Sequence, residues 1–404
     1  MGEIVLHILD SLPALKEPTP RLILGLVRAN ESISRVDLAR ETGLHPSTIT
    51  RTVASLMEEG LLKEDGEGYN ELGRKPILLS LVPDAIHVIG LAIESTFISG
   101  VLSNLAADII EKREVPLTQV DTGAVQEQVE SIIDDLLAAA RIRNIDVKGI
   151  GVAMHGIIDS ANGVCLVAPA AGWRNFPIAS IISARYQLPV SVGNNANSMA
   201  LGESWFGNGK GVENLVAVKV GQHIGSGILL NGQLFPGPDF GAGEIGHLTV
   251  ISDGPACKCG NYGCLETVAS IGAVIDKARV MLKRGERSSL LALIDNDPYN
   301  LRFEHLCEAA ACGDRLALQL WEEAGSYLGL GLANTINILN PTKILIGGDV
   351  YPAVDFIIPK AREIVAARAL ESLKTHISIE PVGLGEDAVT IGAVTLMLKE
   401  IFSV

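Results

Sequence analysis

The chain has 404 residues, which is enough for two or three domains. Its formal net charge of −15 at pH 7 excludes a surface that binds nucleic acid along the whole chain, so any DNA contact must come from a local patch. No apolar run reaches the ~20 residues that a membrane-spanning helix needs. Glu3 and Asp10 interrupt the segment where a secretory signal would be apolar. We therefore expect a cytoplasmic protein with no membrane partner.

The N-terminal segment predicts three successive helices. Residues 22–28 are apolar at helical spacing, and residues 34–37 have the form of a capping box that opens a second helix. Gly43 suits the end of that helix, and Pro46 suits the first position of a third. The third helix would bury an apolar stripe and expose Ser47, Thr50 and Arg51. A short turn between such helices is typical of a helix-turn-helix.

The segment that follows indicates a β-wing. Residues 64–76 are rich in glycine and charge and end in Gly-Arg-Lys-Pro. Arg51 would contact a base or a phosphate, and the full set of DNA-binding candidates is Ser47, Thr50, Arg51, Arg74 and Lys75. Residues 1–76 hold 9 Lys and Arg against 12 Asp and Glu, a net of −3, so a packing module with a solvated polar face is the alternative. We favour DNA binding on the form of the motif.

From about residue 87 the pattern changes to short apolar strands that end in glycine or asparagine. Residues 87–93 indicate a buried strand, and the strand at 149–154 ends at His155-Gly156. The strand at 190–192 leads into Asn194-Asn195-Ala196-Asn197, and helical residues 328–339 precede a strand that ends at Gly347-Gly348. This order predicts an α/β fold with a phosphate- or sugar-binding cleft at the strand ends.

One imidazole and three thiols fall within 18 positions, at His247, Cys257, Cys259 and Cys264. Zinc favours four such nitrogen and sulfur ligands, and a closed set of this kind is usually structural. Gly260 and Gly263 would let the backbone turn tightly around the ion. The alternatives are a disulfide between Cys257 and Cys264 or three inert thiols, but stable disulfides are rare in the cytosol. The pattern therefore predicts a structural zinc ion.

We make separate predictions for the neighbouring carboxylates and for the other cysteines. Glu244 and Glu266 bracket it, and carboxylates of this kind commonly bind oxygen-rich ligands such as sugars. The remaining cysteines, Cys165, Cys307 and Cys312, are expected to fill the core.

Taken in order, these motifs resemble the ROK family of repressors and sugar kinases, and in particular its regulator branch. The resemblance covers nearly the whole chain. It rests on the helix-turn-helix at about 20–80, the Gly-Arg-Lys-Pro wing end and the Asn-Asn-Ala-Asn loop. Its most specific parts are Gly-Glu-Ile-Gly-His at 243–247 and Cys-x-Cys-Gly-x-x-Gly-Cys-x-Glu at 257–266.

The resemblance implies a winged helix-turn-helix at residues 1–82, followed by a two-lobed, actin-like (ribonuclease-H-like) α/β domain at 83–404. Lobe one would span about 83–194 with a C-terminal helix at 388–404, and lobe two about 195–387. The expected sugar-binding residues are Gly156, Asn194, Asn195, Glu244, His247 and Glu266. The zinc ligands implied are His247, Cys257, Cys259 and Cys264.

Departures from the family's kinases predict that catalysis is lost. Kinases carry an Asp as general base where this chain has Asn195, and an amide cannot accept the proton. Their Asp-x-Gly-Gly-Thr phosphate loop corresponds here to residues 92–96, with Ala92 and Glu94 at key positions. Their second loop, Gly-Thr-Gly, corresponds to residues 221–223, which read Gly-Gln-His. We therefore expect no enzyme activity.

These observations together predict a sugar-responsive, DNA-binding transcriptional regulator, most simply a repressor of carbohydrate-use genes. The alternative is an ATP-dependent sugar kinase that carries a DNA-binding module, and a structural scaffold is a third possibility. The expected partners are operator DNA and a carbohydrate or carbohydrate-derived effector. We also expect a homodimer or a dimer of dimers, because helix-turn-helix proteins usually pair to bind palindromes.

Overall fold

The computed structural model describes residues 12–68, 75–169 and 171–402. The chain forms two compact units. The first comprises residues up to 198 together with those from 390 onward, and the second comprises residues 199–389. No helix in the described part of the chain is both long and apolar enough to cross a membrane.

The helices and strands are as follows. The α-helices are α1 (Pro18–Asn30), α2 (Arg35–Thr42), α3 (Pro46–Glu58), α4 (Thr122–Ile142), α5 (Ile178–Tyr186), α6 (Asn195–Phe206), α7 (Glu266–Ala269), α8 (Ile271–Lys283), α9 (Leu290–Leu293), α10 (Phe303–Ala311), α11 (Arg315–Leu339), α12 (Val354–Arg368), α13 (Glu371–Lys374) and α14 (Ala388–Phe402). The strands are β1 (Ile33–Ser34), β2 (Leu62–Glu67), β3 (Ile77–Leu81), β4 (His87–Ile93), β5 (Phe97–Asn104), β6 (Ile109–Pro116), β7 (Val147–Met154), β8 (Ile157–Asp159), β9 (Val164–Ala168), β10 (Trp173–Phe176), β11 (Val190–Asn194), β12 (Leu215–Val220), β13 (Ile224–Leu230), β14 (Gln233–Leu234), β15 (Lys343–Gly347) and β16 (Ser378–Pro381). Short 3₁₀ turns lie at Pro13–Lys16, Pro83–Ala85, Ile245–His247, Pro298–Asn300, Tyr351–Ala353 and Gly385–Asp387.

The N-terminal part of the first unit is a three-helix bundle with a small sheet. The Ser34 side chain accepts a hydrogen bond from the Asp37 N–H and starts α2, and Gly43 ends that helix in the left-handed conformation. Pro46 is the first residue of α3, as predicted. Strands β1, β3 and β2 form an antiparallel sheet in that order. The fully buried stripe of α3 consists of Ile49, Val53 and Leu56.

The main sheet of the first unit has the order β11-β7-β4-β5-β6. Strands β4, β7 and β11 run parallel, so their carboxyl ends meet at one edge, while β5 and β6 are antiparallel additions. Helix α4 packs against β5 and β6 and buries residues such as Ile132 and Leu136. A separate three-stranded sheet has the order β10-β9-β8.

Glycines in this sheet allow helix α14 to approach its backbone. A Cβ atom on Gly151 would overlap the carbonyl oxygen of Ala393, and one on Gly90 would lie 2.7 Å from the carbonyl oxygen of Thr390. Both distances are far below van der Waals contact, so side chains at these positions would push the helix away. The glycines therefore hold the C-terminal helix in the first unit.

The second unit is built on a sheet of order β14-β13-β12-β15-β16. Strands β12, β15 and β16 are parallel and β13 is antiparallel to β12. Helix α11 packs closely on α12, because Gly325 and Gly329 leave room for the backbone of the facing helix. Residues 328–339 are helical, as predicted, and the helix extends back to Arg315, where Asp314 caps it by accepting from the Ala317 N–H.

We predict that Gly151→Ala destabilises the protein by about 1–3 kcal/mol, because overpacking a tight contact forces the backbone to shift. Urea unfolding followed by circular dichroism measures the change. Gly25→Ala is the matched control, since Gly25 lies in α1 with no atom within 4 Å of an added Cβ. That control should be neutral or stabilising by up to about 1 kcal/mol. Equal midpoints for Gly151→Ala and the wild type would contradict the close approach of α14.

Candidate functional site

The loop between β14 and α7 brings one imidazole and three thiols together. The ligand atoms of His247, Cys257, Cys259 and Cys264 all lie within 4.8 Å of one another. The Cys257 Sγ is 3.6 Å from the His247 Nδ1, and the Cys259 Sγ is 3.8 Å from the Cys264 Sγ. The structure thus confirms that these four predicted residues converge.

The spacing of these atoms fits a tetrahedral zinc ion. Zinc–sulfur bonds of about 2.3 Å and a zinc–nitrogen bond of about 2.05 Å at tetrahedral angles give S–S edges of about 3.8 Å and S–N edges of about 3.6 Å. The two separations given above lie close to these edges, and the other pairs lie within 4.8 Å. None of the six cysteines, all of which lie in the described residues, forms a disulfide. The described residues could therefore hold a metal ion.

The backbone of this loop is folded tightly around the cluster. Gly263 has φ +65° and Gly260 has φ +95°, as the predicted turns require. A Cβ atom on Gly263 would overlap the carbonyl oxygen of Ile251. The Cys257 N–H donates to the Asn261 carbonyl at 2.7 Å and closes the turn that carries two of the thiols.

The thiols of the cluster differ in acidity. Burial, together with the neighbouring thiols, raises the pKa of Cys264 to about 12. The backbone N–H of Asn261 and the other thiols lower the pKa of Cys259. Three thiols this close cannot all ionise at neutral pH without a positive charge between them, and a bound metal ion would supply that charge.

The two predicted carboxylates of the second unit lie beside the cluster. The Glu266 Oε2 accepts the Ile224 N–H at 3.1 Å and is 3.2 Å from the His223 Nδ1. The His247 Nε2 is 3.8 Å from the Glu244 Oε2, so one edge of this ring faces the thiols and the other faces a carboxylate. The structure therefore brings Glu244, His247 and Glu266 together.

The two carboxyl groups differ in acidity. Burial pushes the pKa of Glu266 upward, but the hydrogen bond and charge of His223 and the Ile224 N–H bring it below its usual value. Desolvation raises the pKa of Glu244, and the nearby charge of Glu266 acts in the same direction, although 45% of the Glu244 side chain is exposed. Sequence reasoning missed His223, because it treated residues 221–223 only as an altered phosphate loop.

The other three predicted sugar-binding residues lie in the first unit, at the carboxyl edge of its parallel strands. The Asn194 Nδ2 donates to the Gly156 carbonyl at 3.0 Å, and its Oδ1 accepts the N–H groups of Ala196 and Asn197. Gly156 has φ +106°, and a Cβ atom there would lie 2.5 Å from the Val167 carbonyl oxygen. Asn194 thus fixes the start of α6 and the turn at Gly156.

Asn195 is held by a buried carboxylate. Its Nδ2 donates to the Glu94 Oε2 at 3.1 Å, and both side chains are buried. Glu94 directly follows β4, so this contact joins the ends of β4 and β11. No local pattern predicts this pair, because the two residues are 101 positions apart.

A second carboxylate lies at the loop that follows β12. The side chain of Asp349 packs over Gly221 so closely that a Cβ atom on this glycine would overlap its Oδ2. The Lys219 Nζ is 3.6 Å from the Asp349 Oδ1, and its side chain is 7% exposed. Of the two segments that the family resemblance aligns with phosphate loops, residues 92–96 contain the Glu94 carboxylate and residues 221–223 have the Asp349 carboxylate against them.

The outer face of α3 carries the predicted DNA-binding side chains. Ser47, Thr50 and Arg51 are all exposed there, and Ser55 lies one turn beyond Arg51 on the same face. The Thr50 hydroxyl donates to the Pro46 carbonyl, and the Ser47 hydroxyl lies 2.8 Å from the His45 Nδ1. Arg51 is the only basic residue of α3.

The described part of the predicted wing carries charges of both signs. The Lys75 Nζ is 3.9 Å from a carboxylate oxygen of Glu67, and Arg74 lies outside the described residues. Strand β2 exposes Glu64, Asp65 and Glu67 beside Lys63. The exposed charge of this strand therefore does not favour contact with phosphates.

One further expectation from the sequence was wrong. Cys165 is fully buried and Cys307 is partly buried, but Cys312 is exposed at the C-terminal end of α10. It follows the last helical residue, where the chain turns toward Asp314, so it does not fill the core.

The family model described as "ROK family" matches residues 88–400, and the one described as "Winged helix-turn-helix DNA-binding" matches residues 16–63. The chain therefore belongs to the ROK family. The predicted fold class, a winged helix-turn-helix followed by an actin-like α/β domain, is confirmed.

Three comparisons show which members of the family are similar. The chain is 30% identical to the xylose repressor of Caldicellulosiruptor bescii over 96% of this chain and 97% of that protein. It is 35% identical to the glucokinase of Halalkalibacterium halodurans over 77% of this chain and 95% of the kinase. A solved structure described as a ROK family transcriptional regulator, homolog of the E. coli MLC protein, has a TM-score of 0.81 and 27% identity over 96% of this chain and 97% of that one. The two matches that extend over 96% of the chain are to regulators.

We predict that Asn195→Asp destabilises the protein by about 1–3 kcal/mol, because it replaces a hydrogen bond to the buried Glu94 with two facing carboxylates. Glu94→Gln in the same chain should restore most of the loss, since an amide then faces a carboxylate again. Thermal unfolding of the two single variants and the double variant measures this coupling. Additive effects of the two substitutions would contradict the pairing.

Proposed function

We propose that this chain is a sugar-responsive, DNA-binding transcriptional regulator, most simply a repressor of carbohydrate-use genes. The observation that carries the proposal is the joining, in one chain, of a winged helix-turn-helix and a ROK domain that match regulators over 96% of the chain. The exposed polar face of α3, with Arg51 at its centre, would contact operator DNA. The chain would act in the cytoplasm as a homodimer or a dimer of dimers.

The effector would be a carbohydrate or a carbohydrate derivative. In the second unit, Glu244 and Glu266 would accept hydrogen bonds from sugar hydroxyls, and the His247 Nε2 edge would add a third polar contact. Carboxylate oxygens suit hydroxyl groups, since an ionised carboxylate accepts only and a hydroxyl donates.

The metal would be one structural zinc ion per chain, held by His247, Cys257, Cys259 and Cys264. When bound, zinc would supply the positive charge that keeps the three thiols ionised, and it would cross-link the loop. The residues themselves position the effector groups, because Glu244 lies three residues before His247 and Glu266 lies two residues after Cys264.

A sugar kinase is the second candidate, and it is favoured by the 35% identity to a glucokinase. The contacts in both units oppose it. Asn195 cannot accept a proton, and its amide is committed to Glu94. The Glu94 carboxylate lies in a segment that the family resemblance aligns with a phosphate loop, and like charges repel there. The Asp349 side chain fills the space over Gly221 in the second such segment. We therefore infer that phosphoryl transfer is lost.

We predict no ATP-dependent phosphorylation of glucose, xylose or N-acetylglucosamine by the wild-type protein, and none by Asn195→Asp. The Asp349 carboxylate would still lie against Gly221 in that variant. A coupled assay that detects ADP release measures turnover. Steady phosphorylation of any of these sugars by the wild type would refute the loss of catalysis and favour the kinase.

We predict close to one zinc ion per chain by elemental analysis, and loss of most of it in Cys259→Ser, because that substitution removes a thiolate ligand. The variant should also melt at a lower temperature. Cys307→Ser is the matched control, as Cys307 lies outside the cluster and should keep both the metal and the stability. A fully stable wild-type protein that holds no metal would contradict the structural role.

We predict that Arg51→Ala weakens operator binding by about tenfold or more, because a bidentate contact from arginine to a base contributes about 1–3 kcal/mol. The operator would be selected from a random DNA library with the wild-type protein, and affinity would be measured by fluorescence anisotropy. Arg284→Ala is the matched control, since Arg284 is an exposed arginine of the second unit. Selection of no preferred sequence by the wild type would contradict the proposed function.

A further inference from the structure

His223 lies between β12 and β13, and it contacts a residue 43 positions further along the chain. Its Nδ1 is 3.2 Å from the Glu266 Oε2, and the same oxygen accepts the Ile224 N–H at 3.1 Å. Two groups on adjacent residues of the loop therefore hold one carboxylate oxygen. Because Glu266 opens helix α7, this contact ties the loop to the start of that helix.

The loop itself is fixed on both sides. The Gly221 N–H donates to the His223 carbonyl at 2.9 Å, and the Ile271 N–H donates to the Gly221 carbonyl at 2.9 Å. The His223 side chain is 35% exposed and the Glu266 side chain is 15% exposed, so the contact lies at the border between protein and solvent. A donor held on such a frame restricts the rotation of the carboxylate.

The two carboxylate oxygens of Glu266 differ in their hydrogen bonds. Among the described residues, no hydrogen-bond donor to the Glu266 Oε1 is found, whereas Oε2 has two partners. Since Oε2 is held in place, Oε1 has a fixed direction and can accept from a ligand hydroxyl. The N–H of Ile224 is already used by Glu266, so it is not open to a phosphate group.

We propose that His223 is a positioning residue of the effector site: its Nδ1–H holds the Glu266 Oε2 and so directs Oε1 toward a hydroxyl of an uncharged sugar. This inference rests on the proposed sugar function and names the ligand class more closely. In this proposal residues 221–223 hold a carboxylate in place, whereas the resemblance to kinases suggested that they contact a phosphate. The neighbouring carboxylate of Glu244 also disfavours an anionic ligand in this unit.

The test uses the zinc-loaded full chain and isothermal calorimetry with D-xylose, D-glucose and N-acetyl-D-glucosamine, each also as its phosphorylated form. The wild type should bind at least one uncharged sugar more tightly than its phosphate. His223→Ala should weaken that binding by about tenfold or more, as expected when a hydrogen bond to a charged group is lost. His223→Asn should restore most of the affinity, because the Asn amide nitrogen can take the place of Nδ1. His223→Gln should not restore it, since its amide reaches the position of Nε2.

A double-substitution cycle separates positioning from direct contact with the sugar. In the Glu266→Gln background, His223→Ala should cause little further loss, because the histidine acts through the carboxylate. Additive losses, equal affinities of His223→Ala and the wild type, or preference for the phosphorylated sugars would each overturn the role of His223. Failure of the wild type to bind any of the six compounds would instead overturn the proposed sugar function, and this inference with it.

Discussion

The convergence of His247, Cys257, Cys259 and Cys264 is the constraint on which the site in the second unit depends. The ligand atoms of three thiols and an imidazole lie within 4.8 Å of one another, and the three thiols could all ionise there only with a cation among them. The turns at Gly260 and Gly263 bring them together at the expense of backbone freedom. Glu244 and Glu266 lie at the two ends of this loop. The contacts that hold the cluster together therefore also fix the positions of both carboxylates.

The strand ends of both units bear on the proposed loss of phosphoryl transfer. Parallel strands place their carboxyl ends at one edge of a sheet, where ligands bind in α/β proteins. Here the edge of the first unit holds the Glu94–Asn195 pair, and the loop after β12 has Asp349 packed over Gly221. These carboxylates oppose phosphate groups by charge, whereas Glu244 and Glu266 suit hydroxyl groups. These side chains therefore support the proposed regulator over a kinase with the same fold.

Much of this could be predicted from the sequence, where the signals are local. The capping residue Ser34, the helix-ending Gly43 and the starting Pro46 define the helix-turn-helix within a dozen positions. The cysteine spacing likewise predicts the cluster, since all four ligands lie on one short loop. The first half of α11 was missed, although Leu316, Leu320 and Ala324 recur at helical spacing and are buried.

The remaining features could not be predicted, because they join distant residues. The Glu94–Asn195 contact spans 101 positions and the His223–Glu266 contact spans 43. The order of the strands, β11-β7-β4 in one sheet and β13-β12-β15 in the other, decides which strand ends become neighbours. No local sequence pattern predicts this order. Sequence reasoning therefore assigned Glu94 and His223 only to lost phosphate loops. In the structure Glu94 contacts Asn195 and His223 contacts Glu266.

The central claim is that one chain links the binding of a sugar to the binding of DNA. The most direct measurement is a titration of the selected operator with zinc-loaded protein, by fluorescence anisotropy, with and without a saturating sugar already shown to bind by calorimetry. Coupling of about 1–3 kcal/mol would change the operator affinity by about 5- to 150-fold. We expect a change in this range for the wild type and its loss in Glu266→Gln at the same sugar concentration. Identical operator affinity of the wild type with and without the sugar would contradict the account.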